Sequence, residues 1–309
     1  MTMVLQGESQ RAAARPLFGA WEETLIESCL DGSMGEVLAG GVAPVRAAVA
    51  RLGDFAFLAG DAQDPAAEAL ARGLLAGAAH PCLLAVPQDE RWAALVRRVH
   101  PGRWRRVARY ATKKDPQAFD RARLAALAES LPADTALRRM GPEAFARTRA
   151  QAWSRDMTAM YPTYEAYAAQ SLGVVAVRGE EIIAGASGYS RYRGGIEIQI
   201  DTRADCRRQG LAAACAARLI LDCLSRGLYP GRGEPALAAP CGKARLPVLP
   251  RLRERADLGA GPGNPRALSG KKPAKKPPGS RLQFAGKCAI LLAEPRAKST
   301  QRERNHREG

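Results

Sequence analysis

The stretch "DTRADCRRQGLAAACAARLILDC", residues 201–223, sets two arginines and a glycine between an alternating apolar segment and a run of small residues. From Gly210 onward Leu211, Cys215, Leu219 and Cys223 recur every four residues, so a helix is expected to open there. Arg218, Asp222 and Arg226 fall on its opposite side, and Ser225-Arg226-Gly227 supplies a stop. A helix start carries unpaired backbone N–H groups and the positive end of the helix dipole, and Gly210 with Ala212 lets a phosphate approach the backbone closely. Arg207 and Arg208 would add charge-assisted contacts. These residues point to anion binding; an ordinary basic turn is the competing reading.

Little else in the chain offers chemistry at a recognisable spacing. The three histidines, His80, His100 and His306, lie far apart, and the seven cysteines form no CxxC pair, so no metal site is expected. Cys206, Cys215 and Cys223 read as small residues of a helix and its approach.

The segments before the junction must position it. "GVVAVRG", "EEIIAGASGYSRY" and "GIEIQIDT" read as strands, and the short links Gly179-Glu180 and Arg193-Gly194-Gly195 suit hairpins, so the three are expected to pair antiparallel. Along the third, Ile196, Ile198 and Ile200 face one way, while Glu197, Gln199 and Asp201 face the other. Ahead of them "GPEAFARTRAQAWSRD" and "TYEAYAAQSL" have helical spacing. Residues 14–133 carry a separate α/β texture: "WEETLIESCL" and "DERWAALVRRVH" read as helices, "DFAFLAG" and "PCLLAVP" as buried strands. Trp21, Phe55, Phe57 and Trp92 sit at apolar positions of these segments and are assigned to the core.

The formal net charge of +16 belongs to the end of the chain. Residues 232–309 hold 18 Lys/Arg against 6 Asp/Glu, and residues 1–231 hold 29 against 25. That tail is dense in Pro, Gly and Arg without a sustained period and is expected to be disordered; only "FAGKCAILLAEP" has the makings of an element. No apolar run approaches the roughly 20 residues a membrane helix needs, and the start lacks the apolar core of a secretory signal. A cytoplasmic protein with reduced thiols is the resulting expectation.

Antiparallel strands, a last strand "IEIQIDT" and then Arg207-Arg208-Gln209-Gly210-Leu211-Ala212 opening a helix resemble motif A of GNAT N-acetyltransferases, Arg/Gln-x-x-Gly-x-Gly/Ala. More narrowly, residues 195–230 with "FGAWEETLIESCLDGSMGEV" and "LGDFAFLAG" are similar to the GNAT group that includes the zwittermicin A resistance acetyltransferase. The resemblance covers about residues 14–230. It implies a mixed, largely antiparallel sheet flanked by helices over residues 134–230, preceded by an α/β domain at 1–133 and followed by the basic tail 231–309. It implies acetyl-CoA as cosubstrate and the amine of a small molecule, an amino-bearing antibiotic among the candidates, as acceptor. The strand edge formed by Ile198, Gln199, Ile200, Asp201 and Thr202 would bond the acetyl and pantetheine portions. The loop Arg207, Arg208, Gln209, Gly210, Leu211 and Ala212 would hold the pyrophosphate. A carboxylate must accept the proton of the attacking amine, and Glu197, on the polar face, is the candidate general base; a solvated strand carboxylate or an ion pair is its structural alternative. Tyr189 and Trp153 are candidates to line the acceptor pocket, with core packing as the alternative for both.

After "LYP" the resemblance stops. The family would continue with Trp-Asp, Asn-x-x-Ser and a helix ending in Lys-Leu-Gly-Tyr/Phe. Codons for residues 242–250, shifted by one base, can read Ala-Lys-Leu-Gly-Tyr-Arg-Phe-Ser-His, and Asn-x-x-Ser fits across 234–237 in the same frame. A frameshift near residue 231 is therefore expected. Two further functions fit parts of the chain: a catalytically silent CoA-binding module, and a nucleic-acid-binding protein using "GKKPAKKPPGSR" as a basic arm. The latter is the weaker, since Phe284 is the single aromatic of the tail.

Overall fold

The computed structural model describes residues 2–19, 21, 23–40, 43–76, 82–112, 119–231, 233–235 and 284–293. The chain opens with strand β1 (Thr2–Val4), helices α1 (Glu8–Phe18) and α2 (Thr24–Leu30), and strands β2 (Glu36–Gly40), β3 (Ala47–Leu52) and β4 (Phe55–Gly60). Helix α3 (Pro65–Arg72), strand β5 (Cys82–Pro87), helix α4 (Glu90–Val99) and strand β6 (Trp104–Thr112) follow. Strands β1 to β4 pair antiparallel in sequence order, and β5 lies parallel to β4. One face of this sheet buries Phe18, Leu25, Ile26 and Phe57 under α1 and α2; the other buries Leu58, Leu83 and Trp92 under α3 and α4.

Helix α5 (Arg121–Glu129) leads to a second sheet. It comprises β7 (Thr135–Arg139), β8 (Gly173–Arg178), β9 (Glu181–Tyr192), β10 (Gly195–Thr202) and β11 (Tyr229–Gly231), in that spatial order. Helices α6 (Pro142–Ala150) and α7 (Tyr164–Gln170) precede β8, and α8 (Leu211–Ser225) joins β10 to β11. Again the strands pair antiparallel until the last, β11, which runs parallel to β10. The expected alternation holds: Ile196, Ile198 and Ile200 share one cluster with Leu211, Cys215, Leu219 and Cys223 of α8. Phe145, Tyr161 and Tyr167 pack on the opposite face with Val175 and Val177. Both sheets are thus flanked by helices, as the sequence implied.

Asp222 is buried, because α5 packs along α8, and its carboxylate pairs with Arg218 at 3.1 Å and Arg139 at 3.8 Å. Within the tail, β12 (Gly233–Pro235) pairs with β6, and β13 (Phe284–Ala293) runs antiparallel between β5 and β6. The edges of β5 and β6 would otherwise present rows of unpaired backbone groups, and an apolar ten-residue segment satisfies both. Cys82 is disulfide-bonded, against the expectation that all thiols stay reduced, whereas Cys29, Cys206, Cys215 and Cys223 are free. The shifted-frame segment 242–250 and the basic arm lie outside the described residues. Among the described residues no helix is long and apolar enough to cross a membrane.

Candidate functional site

The site is built where β10 parts from β11. Among the described residues their ladder covers Gly195, Ile196 and Glu197, opposite Tyr229, Pro230 and Gly231. Among the described residues no strand pairs with the β11-side edge of Ile198, Gln199, Ile200 and Thr202, while the other edge of Ile198 to Thr202 is paired to β9. At this same point the register to β9 shifts: Glu197 faces Ser190 and Ile198 faces Gly188, leaving Tyr189 as the extra residue of a bulge. Bulges bend a strand and re-aim side chains, and they recur beside active sites.

Glu197 is not a solvated strand carboxylate, being only 7% exposed. It lies over Gly231, where an added Cβ would stand 3.2 Å from Glu197 Oε2 and 2.8 Å from Thr24 Oγ1. Helix α2, from the far N-terminal part of the chain, is thereby brought onto the β9–β10 face that carries Glu197. Opposed residues of an antiparallel pair share a face, so Ser190 lies beside Glu197. Its hydroxyl is fully buried and makes no hydrogen bond among the described residues. Tyr192, two residues on, has its phenol pushed above the usual range by burial and then by the charges of Glu27 and Glu197 and the neighbouring Tyr229.

Beyond Thr202 the chain turns through Arg207-Arg208-Gln209-Gly210 into α8. Two consecutive-but-one residues, Arg208 at φ 64° and Gly210 at φ 79°, adopt the left-handed region. For arginine this conformation is disfavoured, and such strain persists where the surroundings enforce it. Gln209 is held by Arg178 Nη2, which donates to its Oε1 at 3.0 Å, and Arg178 pairs in turn with Asp134 at 2.8 Å. Gly210 at the N-cap offers no side chain to cap the start of α8, and among the described residues no other side chain is bonded to its first N–H groups. Arg208, Gln209 and Gly210 are exposed, Arg207 and Ala212 half-buried, and Leu211 is anchored in the core. From Glu197 to Thr202 the strand spans about 17 Å at ~3.3 Å per residue. The arrangement offers a carboxylate at one end of this stretch of strand and a cationic, uncapped helix start at the other.

The remaining candidates are placed differently. Gln199 turns its amide to Asp201, 3.0 Å away, along the polar face. Tyr189 is carried by the bulge into the packing against the first sheet: its ring stands edge-on to Phe55 and its hydroxyl donates to Asp54 Oδ1 at 3.0 Å. Burial and the Asp54 charge hold that phenol well above its usual range. Trp153 is part of the Phe145–Tyr161–Tyr167 cluster, its indole N–H bonded to Gln151 Oε1 at 2.6 Å. Thr24 and Ser190 carried no signal that single-sequence reading could use. The thiols of Cys215 and Cys223 are pushed up to about 12 by burial, as inert packing groups should be. Among the described residues no group of three or more His, Cys, Asp or Glu could hold a metal.

The sequence profile of GNAT acetyltransferases matches residues 15–231. A crystal structure of a GCN5-related N-acetyltransferase-like protein from Streptococcus suis 89/1591 is 36% identical, with a TM-score of 0.66 over 74% of this chain and 89% of that one. A GCN5-related N-acetyltransferase from Kribbella flavida is 16% identical, with a TM-score of 0.48 over 92% and 95%. A tandem GNAT protein from the clavulanic acid biosynthesis pathway is 13% identical, with a TM-score of 0.47 over 78% and 90%. No curated protein sequence matches the chain.

Proposed function

Since the chain belongs to the GNAT acetyltransferase family, we propose that it moves an acetyl group from acetyl-CoA to the amine of a small molecule, using the slot between β10 and β11. The end of the β10–β11 ladder at Glu197 among the described residues carries the reading, because it sets the following stretch of β10 between a buried carboxylate and a helix start with no side-chain cap. In this reading the N–H groups at the start of α8, with Arg207 and Arg208, take the pyrophosphate; Gly210 and Ala212 leave it room. The edge of Ile198 to Thr202 bonds the pantetheine arm. Glu197 accepts the proton of the acceptor amine as its nitrogen attacks the thioester carbon. The C–N bond forms, the C–S bond breaks, and the sulfur leaves as the CoA thiolate.

The division into units at 1–133, 134–230 and 231–309 belongs to the same proposal; β1 to β6 and β7 to β11 lying in separate sheets supports its first boundary, whereas β12 and β13 of the third unit join the first sheet. So does membership of the zwittermicin A resistance group, with an amino-bearing antibiotic as acceptor, which rests on "FGAWEETLIESCLDGSMGEV". A cytoplasmic setting, where acetyl-CoA is available, completes it.

The test is to incubate the chain with acetyl-CoA and a panel of small amines, following free thiol and the mass of the acetylated amine. Thiol release that requires an amine is expected. Tight acetyl-CoA binding without transfer to any amine would replace the enzyme with a silent binding module, and absence of both would overturn the reading.

A further inference from the structure

The two sheets are built on one plan. In each, a strand is followed by two helices, three strands, a helix and a fifth strand; the spatial order is sequential, the first four strands antiparallel and the fifth parallel to the fourth. β4 thus stands where β10 stands, and α3 where α8 stands. The chemistry at the corresponding places is opposite. β4 stays zipped to β5 from Phe55 to Leu58, four of its six residues, whereas among the described residues β10 pairs with β11 at three of its eight. The last turn of the first slot is filled as well. Gln88 N donates to Leu58 O at 2.9 Å, Gln88 Oε1 accepts from Gly60 N at 2.9 Å, and Trp92 Nε1 donates to Gly60 O at 2.8 Å. No register shift interrupts β3–β4 where β9–β10 has its bulge.

The helix start differs in charge and in free donors. Where the second unit has Arg207-Arg208-Gln209-Gly210, the first has Asp61-Ala62-Gln63-Asp64 followed by Pro65. Asp64 Oδ1 caps α3 by accepting from Ala66 N at 2.8 Å, and Pro65 has no N–H to offer. Asp61 takes Gln63 N at 2.9 Å and is held below the usual carboxylate range by that bond and by Arg46. An anion approaching here meets two carboxylates and few unpaired donors.

We infer that the chain holds the acyl-CoA-binding architecture twice, that only the second copy takes the cofactor, and that the first copy serves instead as the acceptor-side wall of the second. This rests on the acyl-transfer reading above. The wall is α2, whose Thr24 Oγ1 reaches the same point as Glu197 Oε2 over Gly231, and whose Glu27 acts on Tyr192. The Tyr189–Asp54 hydrogen bond fixes the first unit against the bulge that shapes the second.

Calorimetric titration of the full chain with acetyl-CoA decides the count. One equivalent is expected, lost in Arg207→Ala/Arg208→Ala and kept at one in Gln88→Ala. Two equivalents, or binding that survives the arginine change and disappears with Gln88→Ala, would overturn the inference; no binding at all would overturn the acyl-CoA reading beneath it. Thr24→Val, isosteric and buried, tests the wall. A several-fold rise in the acceptor KM with acetyl-CoA affinity unchanged is expected, since one hydrogen bond is worth about 0.5–1.5 kcal/mol, or roughly 2- to 10-fold. An unchanged acceptor KM would contradict it.

Discussion

Glu197 lies at the centre of the account at residue scale, and its candidacy was legible because "GIEIQIDT" alternates cleanly. Its burial was not legible: that depends on Gly231 and on α2, some 170 positions away, and long-range neighbours leave no mark on local periodicity. Glu197→Gln keeps the shape and removes the proton acceptor. A fall of about 10²- to 10⁴-fold in kcat, with acetyl-CoA affinity unchanged, is expected. A steady-state assay showing undiminished kcat would make Glu197 a structural carboxylate. Tyr189 shows the converse. It was a candidate to line the acceptor pocket, with core packing as the alternative, and one bulged residue sends its ring to Phe55 and Asp54. Cys206, Cys215 and Cys223 were read as small packing residues, and all three are free and buried. Burial disfavours the thiolate, and Cys29, Cys215 and Cys223 are each pushed up to about 12, so at pH 8 they remain protonated. Iodoacetamide at that pH should leave all three unmodified in the folded chain, and rapid labelling of Cys215 would mean that α8 does not pack as described.

Between residue and whole molecule, the elements β8, β9, β10 and α8 were readable, since strong periods and glycine-bearing links fall together there. Others were silent. β3 is "AAVARL", alanine-rich and weak in strand propensity, and is held by its neighbours on both sides. β13 was visible as an apolar segment, yet its place between β5 and β6 depends on edges formed 200 residues earlier. The loop before α8 offers the sharpest test at this scale. Arg208 stands at φ 64°, where glycine has no penalty and other residues lose about 1–2 kcal/mol. Arg208→Gly should therefore raise thermal stability slightly while weakening acetyl-CoA binding about 10-fold or more, a charge-assisted hydrogen bond being worth about 1.5–3 kcal/mol. If stability and affinity fall together, the arginine holds the loop and does not serve a ligand.

Across the whole molecule, the repeated plan of the two sheets was hidden from the sequence because topology is shared while the residues at corresponding positions have opposite chemistry. The junction between units is correspondingly specific. Gly53 has φ 60°, and a Cβ there would collide with Tyr189 Oη. Gly53→Ala is expected to lose about 1–2 kcal/mol from backbone strain alone and more from displacing Tyr189, read as a lower urea midpoint. An unchanged midpoint would mean that the two sheets tolerate separation at this contact. Ending the chain before β13 should likewise expose the edges of β5 and β6 and promote self-association, measurable by light scattering.

The account's central claim is that an acyl-CoA lies along β10 with its pyrophosphate at the start of α8. The most direct measurement compares the affinities of acetyl-CoA and S-acetylpantetheine, which lacks the pyrophosphate and nucleotide, in the unaltered chain and in Arg207→Ala/Arg208→Ala. The expected result is a strong preference for acetyl-CoA in the unaltered chain that largely disappears in the variant, with S-acetylpantetheine binding unchanged. A preference that survives loss of both arginines would place the pyrophosphate elsewhere and contradict the site.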